Sequence, residues 1–164
     1  MDIFPTMITP YKEDGTVDID TALQYVDFYY ESGMTGIFAV CQSSEIFYLS
    51  LAERVELNRA VYRRAKELEA NGDRPFTVVS SGHVSDRFED QVEELNAIAA
   101  SGTDALILIT NRLDIHNEGD DVFIANAERL LAQLPSDVKL GLYECPHPYK
   151  RLVTPRILDW CLST

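Results

Sequence analysis

The stretch SDRFEDQVEELNAIAASGTDALILITNR, residues 85–112, contains one full unit of the pattern that runs through this chain. Ser85 offers a side-chain oxygen that can open a helix, and Phe88, Val92, Leu95 and Ala99 follow at spacings that lay one apolar stripe along it. Gly102 predicts the stop, because glycine takes the left-handed backbone of a helix end without a steric penalty. The run from Ala105 to Ile109 is apolar at every position, as a strand covered on both faces requires, and is far too short to span a bilayer. Thr110, Asn111 and Arg112 then end it on polar residues.

The same rhythm extends in both directions. Strands are predicted over residues 3–8, 36–40, 76–80, 105–109 and 138–143. A first helix runs from Asp18 to Ser32 with Gly33 as its stop, and a second opens on a capping box of Ser50 and Glu53 and ends near Asn71 and Gly72. Phe123, Ala127, Leu130 and Leu134 form the stripe of a fourth helix closed by Pro135, and Thr154 with Pro155 makes the cap and first residue of a fifth.

Strands that alternate with helices imply a parallel sheet. A doubly wound open sheet would share the alternation, but it commonly carries a glycine-rich phosphate turn after its first strand, and Thr9-Pro10-Tyr11-Lys12 is not one. The (β/α)8 TIM barrel fits better. Such a barrel takes roughly 250 residues, about thirty per unit. The 164 residues here therefore hold about the first five units, and residues 1–164 are expected to be a single domain, the N-terminal portion of a barrel that stops before closing.

Acidic residues outnumber basic ones, 27 to 14, with no basic stripe, which argues against nucleic acid and anionic membrane surfaces as partners. The charges sit mostly on outward helix faces such as that of Glu89, Asp90, Glu93 and Glu94. Cys41, Cys145 and Cys161 form an odd set without metal-ligand spacing, and the N-terminus has no signal-peptide pattern, so a cytoplasmic setting is expected. His83, His116 and His147 are scattered, and no metal is expected.

In barrels, functional groups gather where strands end. Those positions are polar here: Thr9 and Pro10; Cys41-Gln42-Ser43-Ser44-Glu45; Ser80-Ser81-Gly82-His83; Thr110-Asn111-Arg112; and Tyr143-Glu144-Cys145-Pro146-His147. Hydroxyl and amide groups beside a tight turn can direct several donors at a carboxylate, which makes Gln42, Ser43 and Ser44 candidate substrate-binding residues. The same residues could simply make a turn. Tyr143 at the end of a strand can relay a proton or donate to a developing charge, or pack as a core residue.

In these residues the sequence resembles the pyruvate-dependent class I aldolases, the family of dihydrodipicolinate synthase and N-acetylneuraminate lyase. The segment from Thr9 to Asp18 is similar to the family's Thr-Pro-x-x-x-Asp-Gly-x-x-Asp start. Cys41 to Glu45 with Leu49 stands where the family has Gly-Thr-Thr-Gly-Glu-x-x-x-Leu, with Cys41 and Ser44 in place of glycines, and Tyr143 to Pro146 stands where it has Tyr-Asn-x-Pro. The resemblance implies a lyase or aldolase acting on a small 2-oxo acid such as pyruvate, with no separate cofactor and commonly as a homo-oligomer. It assigns Tyr143 as the catalytic tyrosine and Gln42 and Ser43 to the carboxylate-binding positions. The tyrosine pair that the synthases carry after strand four is replaced by Arg112 and Leu113, and their arginine after Tyr-Asn-x-Pro by Pro148.

By the same resemblance, a lysine ending strand six forms a Schiff base with the keto carbon, and the iminium then draws electrons from the adjacent bond. No residue of this chain is expected at that position, and Lys12, Lys66, Lys139 and Lys150 are poor substitutes. The chain by itself is therefore expected to be inactive as an aldolase. The alternative is a non-catalytic half-barrel that binds or assembles through its open edges.

Overall fold

A computed structural model describes residues 2–163 of the chain. The elements, in chain order, are α1 (Ile19–Glu31), β1 (Gly36–Phe38), α2 (Leu51–Asn71), β2 (Thr77–Ser80), α3 (Phe88–Ser101), β3 (Ala105–Ile109), α4 (Asp120–Leu131), β4 (Leu140–Tyr143) and α5 (Pro155–Ser163). All strand pairs are parallel and the sheet order is β1-β2-β3-β4. Each strand thus lies beside the next one in sequence, and a helix makes every crossover. No helix among the described residues is long and apolar enough to cross a membrane.

Local chemistry explains where the helices begin and end. Asp18 accepts from the Thr21 backbone at the head of α1, and Gly33 beyond its end has φ +82°, in the left-handed region. Ser50 and Glu53 bond reciprocally at the head of α2, Glu53 N donating to Ser50 Oγ at 3.3 Å and Ser50 N to Glu53 Oε2 at 2.8 Å. Thr154 accepts from Ile157 N at 3.2 Å and caps α5, which opens on Pro155. Ser85 does not cap α3. The helix starts three residues later, and the Ser85 backbone and hydroxyl donate instead to Glu94 at 3.0 and 2.8 Å.

The predicted strand at residues 3–8 is reduced to a single parallel bridge between Thr6 and Phe38. Phe38 N donates to Pro5 O at 2.9 Å and Met7 N to Phe38 O at 3.0 Å. Pro5 has no N–H of its own, and this segment has a sheet neighbour on one side only, which leaves Ile3, Phe4 and Ile8 exposed. The strand predicted at 138–143 begins two residues later, because Pro135 sets a turn that takes up Val138 N.

Burial alternates along β2 and most of β3, as side chains pointing to opposite faces require. Ile37, Val78, Leu106 and Leu108 are buried beneath the helices, against Val61, Leu95, Ile98, Phe123 and Leu130. Each fully buried side chain of this size stabilises the fold by about 1.5–3 kcal/mol relative to exposure. Phe38, Val79, Ile107 and Tyr143 lie on the other face and are only partly buried. The sheet is therefore covered on one side and half open on the other.

Buried polar groups fasten the helices to the strand ends. Arg54 of α2 donates to Glu94 of α3 at 3.0 Å and to Gly82 O at 2.5 Å, while Glu94 also accepts from Val84 N at 3.0 Å. Asn58 accepts from Ser80 Oγ at 2.5 Å and donates to Ser101 Oγ and Gly102 O, both at 2.7 Å. Arg54, Asn58 and Glu94 are each hydrogen-bonded, which is the condition under which such groups are tolerated in a core.

Candidate functional site

The segment after β1 turns sharply through a short 3-10 helix, Gln42–Ser44, and Glu45 closes it in the left-handed region at φ 59°. Ser44 holds this turn in place. Its hydroxyl donates to Met7 O at 2.8 Å and accepts from Cys41 N at 3.1 Å, and its carbonyl accepts from Thr9 Oγ1 at 2.7 Å. Ser44 is fully buried by these contacts, so its side chain is committed to the protein. Ser43 is exposed, and its hydroxyl has no partner among the described residues.

Gln42 turns toward β4. Its side-chain oxygen accepts from the Tyr143 hydroxyl at 3.1 Å across 101 positions of sequence, and from Cys145 Sγ at 3.5 Å. The amide nitrogen of Gln42 has no partner among the described residues and remains a donor for a ligand. The Tyr143 ring stands edge-on to Phe38, with centroids 5.8 Å apart, on the half-open face of the sheet. Burial, reinforced by the charge that Cys145 and Cys41 would carry if ionised, holds the Tyr143 hydroxyl above its usual pKa. At neutral pH it is therefore a protonated donor.

The loop that carries Tyr143 onward is held from β3. Thr110 Oγ1 donates to Arg151 O at 2.6 Å, and Asn111 Nδ2 donates to the carbonyls of Cys145, His147 and Tyr149 at 3.0, 3.0 and 2.6 Å. Asp114 is fully buried. It accepts from Arg151 Nε at 2.7 Å and Glu118 N at 2.7 Å, and Arg151 also bonds Asp120 at 2.7 Å. Sequence reading singled out neither Cys145 beside Gln42 nor the Asp114–Arg151 pair; the only local signal was the polarity of the residues after each strand.

His83, after β2, lies in the interior. Ile109 N donates to His83 Nδ1 at 3.0 Å, so Nε2 carries the proton and donates to Gln91 Oε1 at 3.0 Å. Among the described residues, no group of three or more His, Cys, Asp and Glu side chains could hold a metal ion, and Cys41, Cys145 and Cys161 are unpaired.

A model of the dihydrodipicolinate synthetase family matches residues 1–72. The 4-hydroxy-tetrahydrodipicolinate synthase of Haloarcula marismortui is 31% identical over 108 residues, covering 66% of this chain and 32% of that protein. A crystal structure of a dihydrodipicolinate synthase superposes with a TM-score of 0.80 at 21% identity, covering 99% of this chain and 52% of that one. The chain is related to the dihydrodipicolinate synthetase family. A catalytic-lysine mutant of the sialic acid aldolase of Ruminococcus gnavus superposes with a TM-score of 0.78 at 16% identity, covering 98% of this chain and 49% of that one. The fold is the first part of a (β/α)8 TIM barrel, and the chain spans between about a third and half of the length of these relatives.

His83 makes the fold sensitive to acid. Burial lowers its pKa from 6.5 to about 4, so the neutral form is favoured in the folded state. Its contribution is complete above pH 6.5 and is lost as pH falls through the interval from 6.5 to 4. That loss amounts to about 3 kcal/mol at about 1.4 kcal/mol per pH unit. Urea unfolding at pH 7 and pH 4.5 should show wild type losing more stability over this interval than His83→Gln, and equal losses would exclude the assignment.

Proposed function

We propose that residues 1–164 carry the 2-oxo-acid-binding part of a Schiff-base-forming lyase or aldolase acting on pyruvate or a close relative. The hydrogen bond between Tyr143 and Gln42 is the observation that supports this most strongly, because it brings the end of β4 against the turn after β1 on the half-open face. In this reading the turn of Gln42, Ser43 and Ser44 receives the carboxylate. Gln42 Nε2 and the Ser43 hydroxyl donate to it, and Ser44 fixes the backbone that presents them. Tyr143 is the catalytic residue that donates its proton, or a hydrogen bond, to the oxygen that gains charge.

Carbon–carbon chemistry at the neighbouring carbon needs an amine that condenses with the keto group and releases water, leaving an iminium that accepts the electron pair. None of the chain's four lysines forms a hydrogen bond or ion pair with Gln42 or Tyr143 among the described residues. Lys66 is held by Glu69 and Asp104, both at 2.8 Å, Lys150 pairs with Glu144 at 3.4 Å, and Lys12 and Lys139 are exposed. Residues 1–164 by themselves accordingly bind the keto acid without forming the iminium, and the reaction belongs to a site in which such an amine faces Tyr143. Three unpaired thiols suit a reducing, cytoplasmic setting.

Pyruvate binding followed by ligand-observed NMR should be saturable and about tenfold weaker in Gln42→Ala, the loss expected for a hydrogen bond to a charged group. Borohydride added with pyruvate should leave the mass of the 164-residue chain unchanged. A pyruvyl adduct would refute the lysine argument, and binding that ignores Gln42 would refute the site.

A second reading, assembly through the open sheet, draws on one observation. The outer edge of β4 adjoins an apolar groove of about 490 Å³ lined by Leu108, Leu140, Leu142, Leu158 and Trp160. Both this reading and the homo-oligomer expected of an aldolase predict concentration-dependent association in sedimentation velocity; a monodisperse monomer at high concentration would count against each.

A further inference from the structure

Arg112 closes the short 3-10 turn that follows β3 at the same rim, and its surroundings are unusual for an arginine. The side chain retains 7% exposure, yet one guanidinium nitrogen, Nη1, meets a carboxylate, that of Asp86, which is itself 65% exposed. The Nε atom is buried with no partner among the described residues. A buried donor without an acceptor is rare and expensive, and an exposed partner on one nitrogen offsets little of that expense. The guanidinium also lies 5.6 Å from the Phe47 ring, whose centroid is 5.0 Å from His147. Phe47 follows the Gln42–Ser44 turn and His147 follows Tyr143, so Arg112 is enclosed by the two segments that build the candidate site.

Charge connects Arg112 with that site as well. Burial holds the Cys145 thiol above its usual pKa, the positive charge of Arg112 opposes that rise, and Cys145 Sγ in turn bonds Gln42 Oε1. Glu94, the buried carboxylate of α3, is already engaged by Arg54. A planar guanidinium with an unmet donor, placed one side chain away from the carboxylate-binding turn, matches a second oxyanion.

We propose that Arg112 is a specificity-determining residue that receives a second acidic group, carboxylate or phosphate, carried by the substrate beyond its 2-oxo acid end. The site would thereby favour 2-oxo diacids over pyruvate. This inference rests on the 2-oxo acid reading above and narrows its substrate class.

Isothermal titration or ligand-observed NMR of the 164-residue chain with pyruvate, 2-oxoglutarate and 3-phosphonopyruvate tests it. Wild type should bind at least one of the two diacids ten times more tightly than pyruvate, and which of them it prefers separates a carboxylate from a phosphate-type partner. Arg112→Met should remove that advantage while moving pyruvate affinity less than twofold. Asp86→Asn alters only an exposed side chain and frees Nη1; it should strengthen diacid binding about threefold and leave pyruvate unchanged. Equal affinity of wild type for all three acids, or parallel loss of pyruvate and diacid binding in Arg112→Met, would overturn the proposal while sparing the 2-oxo acid reading. Failure of wild type to bind any of the three would remove that reading itself.

Discussion

Parallel strands must all end at the same rim, and this constraint governs the site. Each crossover helix returns the chain to the bottom of the sheet, so the residues after β1, β2, β3 and β4 emerge together although they are far apart in sequence. The hydrogen bond from Tyr143 to Gln42 closes that rim across the sheet. Without the parallel order, the two residues would have no reason to meet.

The division of labour among the rim residues follows from which face their strand positions present. Tyr143 lies beside Phe38 on the half-open face and keeps its hydroxyl at the rim, whereas Ser80 and His83 turn into the helix-covered interior and satisfy Asn58, Gln91 and the β3 backbone. Asn111 and Arg151 do not bond Gln42 or Tyr143 directly. They fix the β4–α5 loop through carbonyls and the buried Asp114 carboxylate, and a fixed loop keeps the Tyr143 hydroxyl aimed at one place.

Much of the fold was legible in the sequence, for local reasons. The caps at Asp18, Ser50 and Thr154 and the stop at Gly33 depend on neighbours within a few residues, and the strands near 77, 105 and 140 are short apolar runs between such signals. The segment at 3–8 was not: Pro5 was a visible signal against a full strand, but that the segment pairs with β1 alone is decided by the tertiary arrangement. Side-chain allegiance was also hidden. Ser85 has a capping residue's composition but answers to Glu94, nine positions away, and Ser44 has a ligand-binding composition but answers to Met7, thirty-seven positions away. Hydroxyls have several possible partners, and only the tertiary arrangement chooses among them. Tyr143 and Gln42 stand at strand ends that the sequence marks, but their hydrogen bond and the isolation of Arg112 Nε were visible only once the neighbours were in place.

The most direct measurement of this account is a double-mutant cycle on Gln42 and Tyr143, reading unfolding free energy for wild type, Gln42→Ala, Tyr143→Phe and the double variant. The account predicts a coupling of about 1 kcal/mol, the usual worth of a partly buried hydrogen bond. Strict additivity of the two substitutions would mean that the ends of β1 and β4 do not meet, and the site would not exist as described.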